Sequence, residues 1–70
     1  MGRMQQLRKA RTIGQADLAR IVGISQSAIS DYENGKLLPP FDIQARLAAI
    51  LGTTTAELFP PQERSNAPST

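Results

Sequence analysis

Ser25-Gln26-Ser27-Ala28-Ile29-Ser30-Asp31-Tyr32-Glu33-Asn34-Gly35 reads as one short helix held between two stops. Ser25 is a capping residue whose hydroxyl can accept from the amides of the first turn. Gly35 is a residue that can leave the helix in a left-handed conformation. Between them, Ala28, Ile29 and Tyr32 recur at the spacing of a single helix face. The opposite face carries Gln26, Ser27, Ser30, Asp31 and Asn34, a row of short hydrogen-bonding side chains. A helix that merely faces solvent is usually richer in long charged residues. The pattern therefore points to a helix displayed against a polar partner.

The segments on either side have the same period and no alternating strand pattern. Gly14, Gly23, Gly35 and Gly52 and the prolines Pro39, Pro40, Pro60 and Pro61 divide the chain. A first helix is expected over about Gly2 to Arg11, with Met4 and Leu7 inward. Lys9 and Arg11 near its end suit the negative pole of the helix dipole. A second helix is expected from Gln15 to Val22, with Leu18, Ala19 and Val22 inward and Asp17 in its first turn. Gly23-Ile24-Ser25 then joins it to the opening stretch, and two short helices joined through a glycine turn form a helix-turn-helix signature. Pro39 and Pro40 enforce a loop. A fourth helix follows over Phe41 to Leu51, with Ile43, Leu47, Ala48, Ile50 and Leu51 as core candidates. Thr54 and Glu57 have the spacing of a capping box for a fifth helix ending near Phe59. Leu58 and Phe59 are expected to close the core. The expected organisation is one all-α five-helix domain over 1–59 and a polar, proline-rich disordered tail over 60–70.

Composition narrows the function classes. Seventy residues make one small domain with modest burial. The chain has no cysteine and no histidine, so neither a disulfide framework nor the usual metal-ligand clusters can be built, and no cofactor is expected. Ser25, Ser27 and Ser30 have no histidine to activate them, which argues against an enzyme. Gly52 is followed by three threonines but lacks the lysine of a phosphate-binding loop. The basic start has no apolar run of a secretory signal, and no stretch is long enough to span a bilayer, so a cytoplasmic location is expected. Net charge is only +2. The first half holds Arg3, Arg8, Lys9, Arg11, Arg20 and Lys36 against three acids, whereas the second half is slightly acidic. That excess fits a polyanion-facing surface and an ordinary solvated helix face equally well.

Several linked pieces carry a family resemblance: Leu7-Arg8, Gln15-Ala16-Asp17-Leu18-Ala19, Gly23-Ile24-Ser25, Ile29-Ser30, Tyr32 through Lys36, Pro39, Leu51-Gly52 and Glu57-Leu58-Phe59. In this order and spacing, residues 4–59 resemble the lambda-repressor/Cro-like (XRE-type) helix-turn-helix family of DNA-binding proteins. The resemblance implies double-stranded DNA as the partner and a homodimer, at least on DNA. It places the second helix of the motif in the major groove and the first across the backbone. Carried over by position, Gln15 contacts a phosphate and supports Gln26, and Gln26 reads a base, its amide suiting adenine N6 and N7. Ser27, Ser30 and Asp31 take the other groove-facing positions, and Asn34 and Lys36 fall where the family touches phosphate. Arg8 and Glu33 fall where the family has an ion pair, which makes Arg8 structural.

Plainer readings stand beside these. Gln15 and Gln26 are also ordinary first-turn polar residues, Ser25 is a cap, and Tyr32 is a core residue. Lys36 is open between phosphate contact and simple solvation. Asp31 can accept from cytosine N4, yet it repels phosphates. The chain also departs from the family pattern. Thr12 stands where a glycine usually ends the first helix, Gly14 replaces a hydroxyl cap, and Pro40 replaces a capping serine. Leu37 and Leu38 replace polar loop residues, either to tuck into the core or to meet a second copy. The resemblance implies a transcription regulator, and a repressor binding a roughly palindromic operator is the expectation. The competing class is a protein-interaction module, such as an antitoxin, whose main partner is another protein.

Overall fold

The computed structural model describes residues 2–60; the expected tail beyond Pro60 lies outside the described residues. Five helices follow one another: α1 Arg3–Ala10, α2 Gln15–Val22, α3 Gln26–Glu33, α4 Phe41–Leu51 and α5 Thr55–Leu58. Among the described residues there is no strand. The expected all-α five-helix architecture is the one observed, with each helix end within a residue of its expected place.

Turn chemistry ends each of the first four helices in the same way. After α2, α3 and α4 the chain passes through Gly23, Gly35 and Gly52 at φ of +90, +75 and +70. After α3, Lys36 N–H donates to Asp31 O at 2.9 Å and Gly35 N–H to Tyr32 O at 3.3 Å, which satisfies the last carbonyls. Thr12 plays the glycine's part after α1. Its φ is 59, Ile13 N–H donates back to Arg8 O at 3.1 Å, and Thr12 N–H donates to Lys9 O at 3.0 Å. A β-branched residue in this left-handed region is strained.

Starts are less uniform. Ser25 caps α3 as expected, its Oγ accepting from Ala28 N–H at 3.1 Å. Gly14 and Pro40 precede α2 and α4 with no side-chain cap. Gln44, one turn into α4, instead donates to Pro39 O at 2.9 Å and holds the proline loop against the helix start. The capping box of α5 is only half formed. Thr54 Oγ1 accepts from Glu57 N–H at 3.1 Å, but the Glu57 carboxylate turns away and accepts from Arg3 Nε at 3.2 Å. An attractive charge on α1 outcompetes a neutral amide for that carboxylate.

The core gathers one face of every helix: Met4, Leu18, Ala19, Val22, Ile29, Leu47, Ala48, Leu51 and Leu58. Leu18, Ile29 and Leu47 are fully buried. Burying each such side chain stabilises by about 1.5–3 kcal/mol. Leu7, Ile13, Ile24, Tyr32, Ile43, Ile50 and Phe59 pack around the rim. Two arginines lock the helix ends to one another. Arg46 of α4 donates to Val22 O at 3.1 Å at the end of α2, and Arg11 donates to Leu51 O at 3.1 Å at the end of α4. Each places a cation on the negative pole of another helix. Leu37 and Leu38 do not tuck into the core. They are 56% and 70% exposed.

Candidate nucleic-acid interface

α2 and α3 form the most extensively packed helix pair. Leu18, Ala19 and Val22 on one side and Ile29 on the other bury the faces they share with the core. What remains outward is the polar side of α3 and the start of α2. Gln26, Ser27 and Asn34 are exposed, and Ser30 and Asp31 are half-buried.

Beneath this surface lies a buried ion pair. Arg8 Nε donates to Glu33 Oε2 at 2.6 Å and Arg8 Nη2 to Glu33 Oε1 at 3.2 Å. The two side chains are 8% and 2% exposed. The remaining guanidinium nitrogen, Nη1, donates to Ile13 O at 2.8 Å. Arg8 therefore ties the end of α1, the turn after it and the end of α3 together. No buried side-chain nitrogen or oxygen among the described residues is left without a partner. This satisfaction is what makes a buried pair tolerable.

The pair continues outward. Gln15, the first residue of α2, donates from Nε2 to Glu33 Oε1 at 3.0 Å. Its Oε1 in turn accepts from Gln26 Nε2 at 3.4 Å, at the long end of hydrogen-bond distances. Of the residues singled out from the sequence, Gln15 and Gln26 are thus brought together side by side. Ser30 and Asn34 are a second pair, Asn34 Nδ2 donating to Ser30 Oγ at 3.4 Å. Ser27 stands exposed one residue into the helix. Asp31 contributes its backbone carbonyl to the turn that carries Lys36, which is exposed.

Charge reading from the sequence overcounts the free cations. Arg8 is committed to Glu33, Arg11 to Leu51 O and Arg46 to Val22 O. Arg20 pairs with Asp17 at 2.6 Å on the exposed side of α2, and Arg3 pairs with Glu57. The link from Glu33 to Gln15 was not legible in the chain, because it joins residues far apart in sequence through a carboxylate already assigned to Arg8.

The order of elements, the glycine turn between α2 and α3 and the capped, outward-facing α3 are the parts of a helix-turn-helix. A helix-turn-helix domain family matches residues 2–59. No curated protein matches the chain. The chain belongs to the helix-turn-helix domain family of Cro/C1 type, a family of DNA-binding transcription regulators.

Proposed function

We propose that the chain is a sequence-specific repressor that lays α3 in the major groove of a roughly palindromic operator and binds it as a dimer. The observation that carries this reading is the outward row of α3, with Gln26 at its tip braced by Gln15 from the start of α2. In this reading Gln26 pairs with adenine, whose N7 accepts and whose N6 donates. Ser27, Ser30 and Asp31 face neighbouring base edges. Gln15, Asn34 and Lys36 hold the phosphate backbone, with the free amides of the first turn of α3 adding donors. Two copies would meet half-sites about one helical turn apart, roughly 34 Å.

The exposed pair Leu37-Leu38 supports the dimer. It borders a groove of about 510 Å³ also lined by Tyr32, Leu58, Phe59 and Pro60. The same apolar edge also favours the second reading, a module whose main partner is another protein. Selection of bound duplexes from a random DNA pool, followed by binding at graded salt, tests the proposal. A two-fold symmetric recovered site and binding that weakens steeply with salt are expected. A pool that yields no sequence, together with a stable complex with a co-encoded protein, would favour the second reading.

A further inference from the structure

We infer that Glu33 is a positioning residue for base discrimination, acting through Gln15 on the amide of Gln26. The inference rests on the reading of Gln26 as the base contact. An ionised carboxylate only accepts hydrogen bonds. The Gln15 amide can therefore face Glu33 Oε1 only with its nitrogen, as the 3.0 Å contact shows. That choice turns Gln15 Oε1 outward, toward Gln26, and an oxygen can only accept. Gln26 must then present its own nitrogen to Gln15, as the 3.4 Å contact shows.

The consequence lies in what Gln26 has left. One N–H is engaged by Gln15, so one N–H and the carbonyl oxygen remain for a base. One donor beside one acceptor matches adenine, which offers N7 as acceptor and N6 as donor. Guanine offers two acceptors, N7 and O6, and would meet the oxygen of Gln26 with its own. The order of the two groups is also set, because the nitrogen lies on the Gln15 side. A buried ion pair that holds α1 to α3 thus selects, two hydrogen bonds away, which face of an exposed amide is offered to DNA. Arg8 enters as the cation that seats the carboxylate in the core, its guanidinium spanning both oxygens at 2.6 and 3.2 Å, a part that a lysine could share less tightly. Buried groups with a full set of partners have little freedom to reorient.

Glu33→Gln would allow the sense of the chain to invert: a nitrogen facing Gln15 turns the Gln15 oxygen inward and its nitrogen toward Gln26. Gln26 would then offer its oxygen to Gln15 and both N–H groups to the groove. The test uses duplexes that the wild-type chain selects from a random pool, with adenine or guanine at the position flattened by Gln26→Ala. The adenine-over-guanine affinity ratio should fall about tenfold in Glu33→Gln. It should fall in the same direction, by less, in Gln15→Met, which leaves the ion pair in place and decides the matter if Glu33→Gln does not fold. Arg8→Lys loosens the same pair but keeps the carboxylate, so it should lower the melting temperature and leave the ratio unchanged. A wild-type ratio in Gln15→Met, with Gln26→Ala still flattening the position, would overturn the relay and leave Gln26 as the reader. An equal loss in Arg8→Lys would also overturn it, since packing rather than the carboxylate would then set the preference. Should Gln26→Ala keep full selectivity at every position, the base contact itself falls and the relay with it.

Discussion

Arg8 and Glu33, 25 positions apart, clasp the end of α1 to the end of α3 through two hydrogen bonds beneath the outward face of the helix-turn-helix. Removing one partner of such a buried pair strands the other charge and costs about 3–5 kcal/mol. Arg8→Ala is therefore expected to destabilise the fold first and to weaken DNA binding as a result. Urea unfolding followed by circular dichroism measures this, and a midpoint equal to wild type would contradict the structural role.

Thr12 is the one non-glycine residue among those described with positive φ. A left-handed conformation costs an L-residue about 1–2 kcal/mol, part of which the greater chain entropy of glycine cancels. Thr12→Gly should stabilise the domain by about 0.5–1 kcal/mol and raise the melting temperature by a few degrees. A lower melting temperature would mean that contacts of the Thr12 side chain outweigh its backbone strain.

Gly52 and Gly23 have similar left-handed backbones but different surroundings. A Cβ at Gly52 would overlap the Arg11 guanidinium that donates to Leu51 O, whereas nothing lies within 4 Å of one at Gly23. Both alanine variants should be destabilised by the left-handed strain they introduce, and Gly52→Ala should lose about 1 kcal/mol more stability, the worth of a typical hydrogen bond. Equal losses from the two variants would show that Arg11 contributes nothing to the end of α4.

Lys36 and Gln26 should fail in different ways on DNA. Lys36→Ala should weaken binding to all sequences alike and reduce the salt slope by about one unit. Gln26→Ala should cost about 1–3 kcal/mol at one base pair and relax selectivity there. Competition binding across a set of single-base variants separates the two, and a uniform loss in Gln26→Ala would remove it as a reader.

Leu37→Ser with Leu38→Ser should leave the unfolding midpoint near wild type, because both side chains are largely exposed. The same double variant should lower dimer affinity or cooperativity on the operator, read by sedimentation and by the steepness of binding. Unchanged cooperativity would assign the apolar edge some other partner.

Much of this protein was legible residue by residue. Helix ends follow from local signals: the Ser25 hydroxyl, the left-handed glycines and the prolines act within a turn of themselves, so their neighbours in sequence are enough. The core residues Met4, Leu18, Ile29, Leu47 and Leu51 follow from period alone. The left-handed Thr12 was suggested only by the family resemblance, which puts a threonine where a glycine usually ends the first helix. The capping box at Thr54 and Glu57 was half right, because its spacing is local but the carboxylate's choice of Arg3 is not.

The chain alone determined five helices, their order and the polar row of α3, since these depend on periodicity and turn chemistry over a few residues. Only the tertiary structure decided what that row rests on. Arg11 and Arg46 cap other helices, and Glu33 serves Arg8 and Gln15 at once. These hydrogen bonds join groups far apart in sequence, so they exist only when several helices pack together. One-dimensional pattern shows which side chains can bond, and three-dimensional packing chooses the partner.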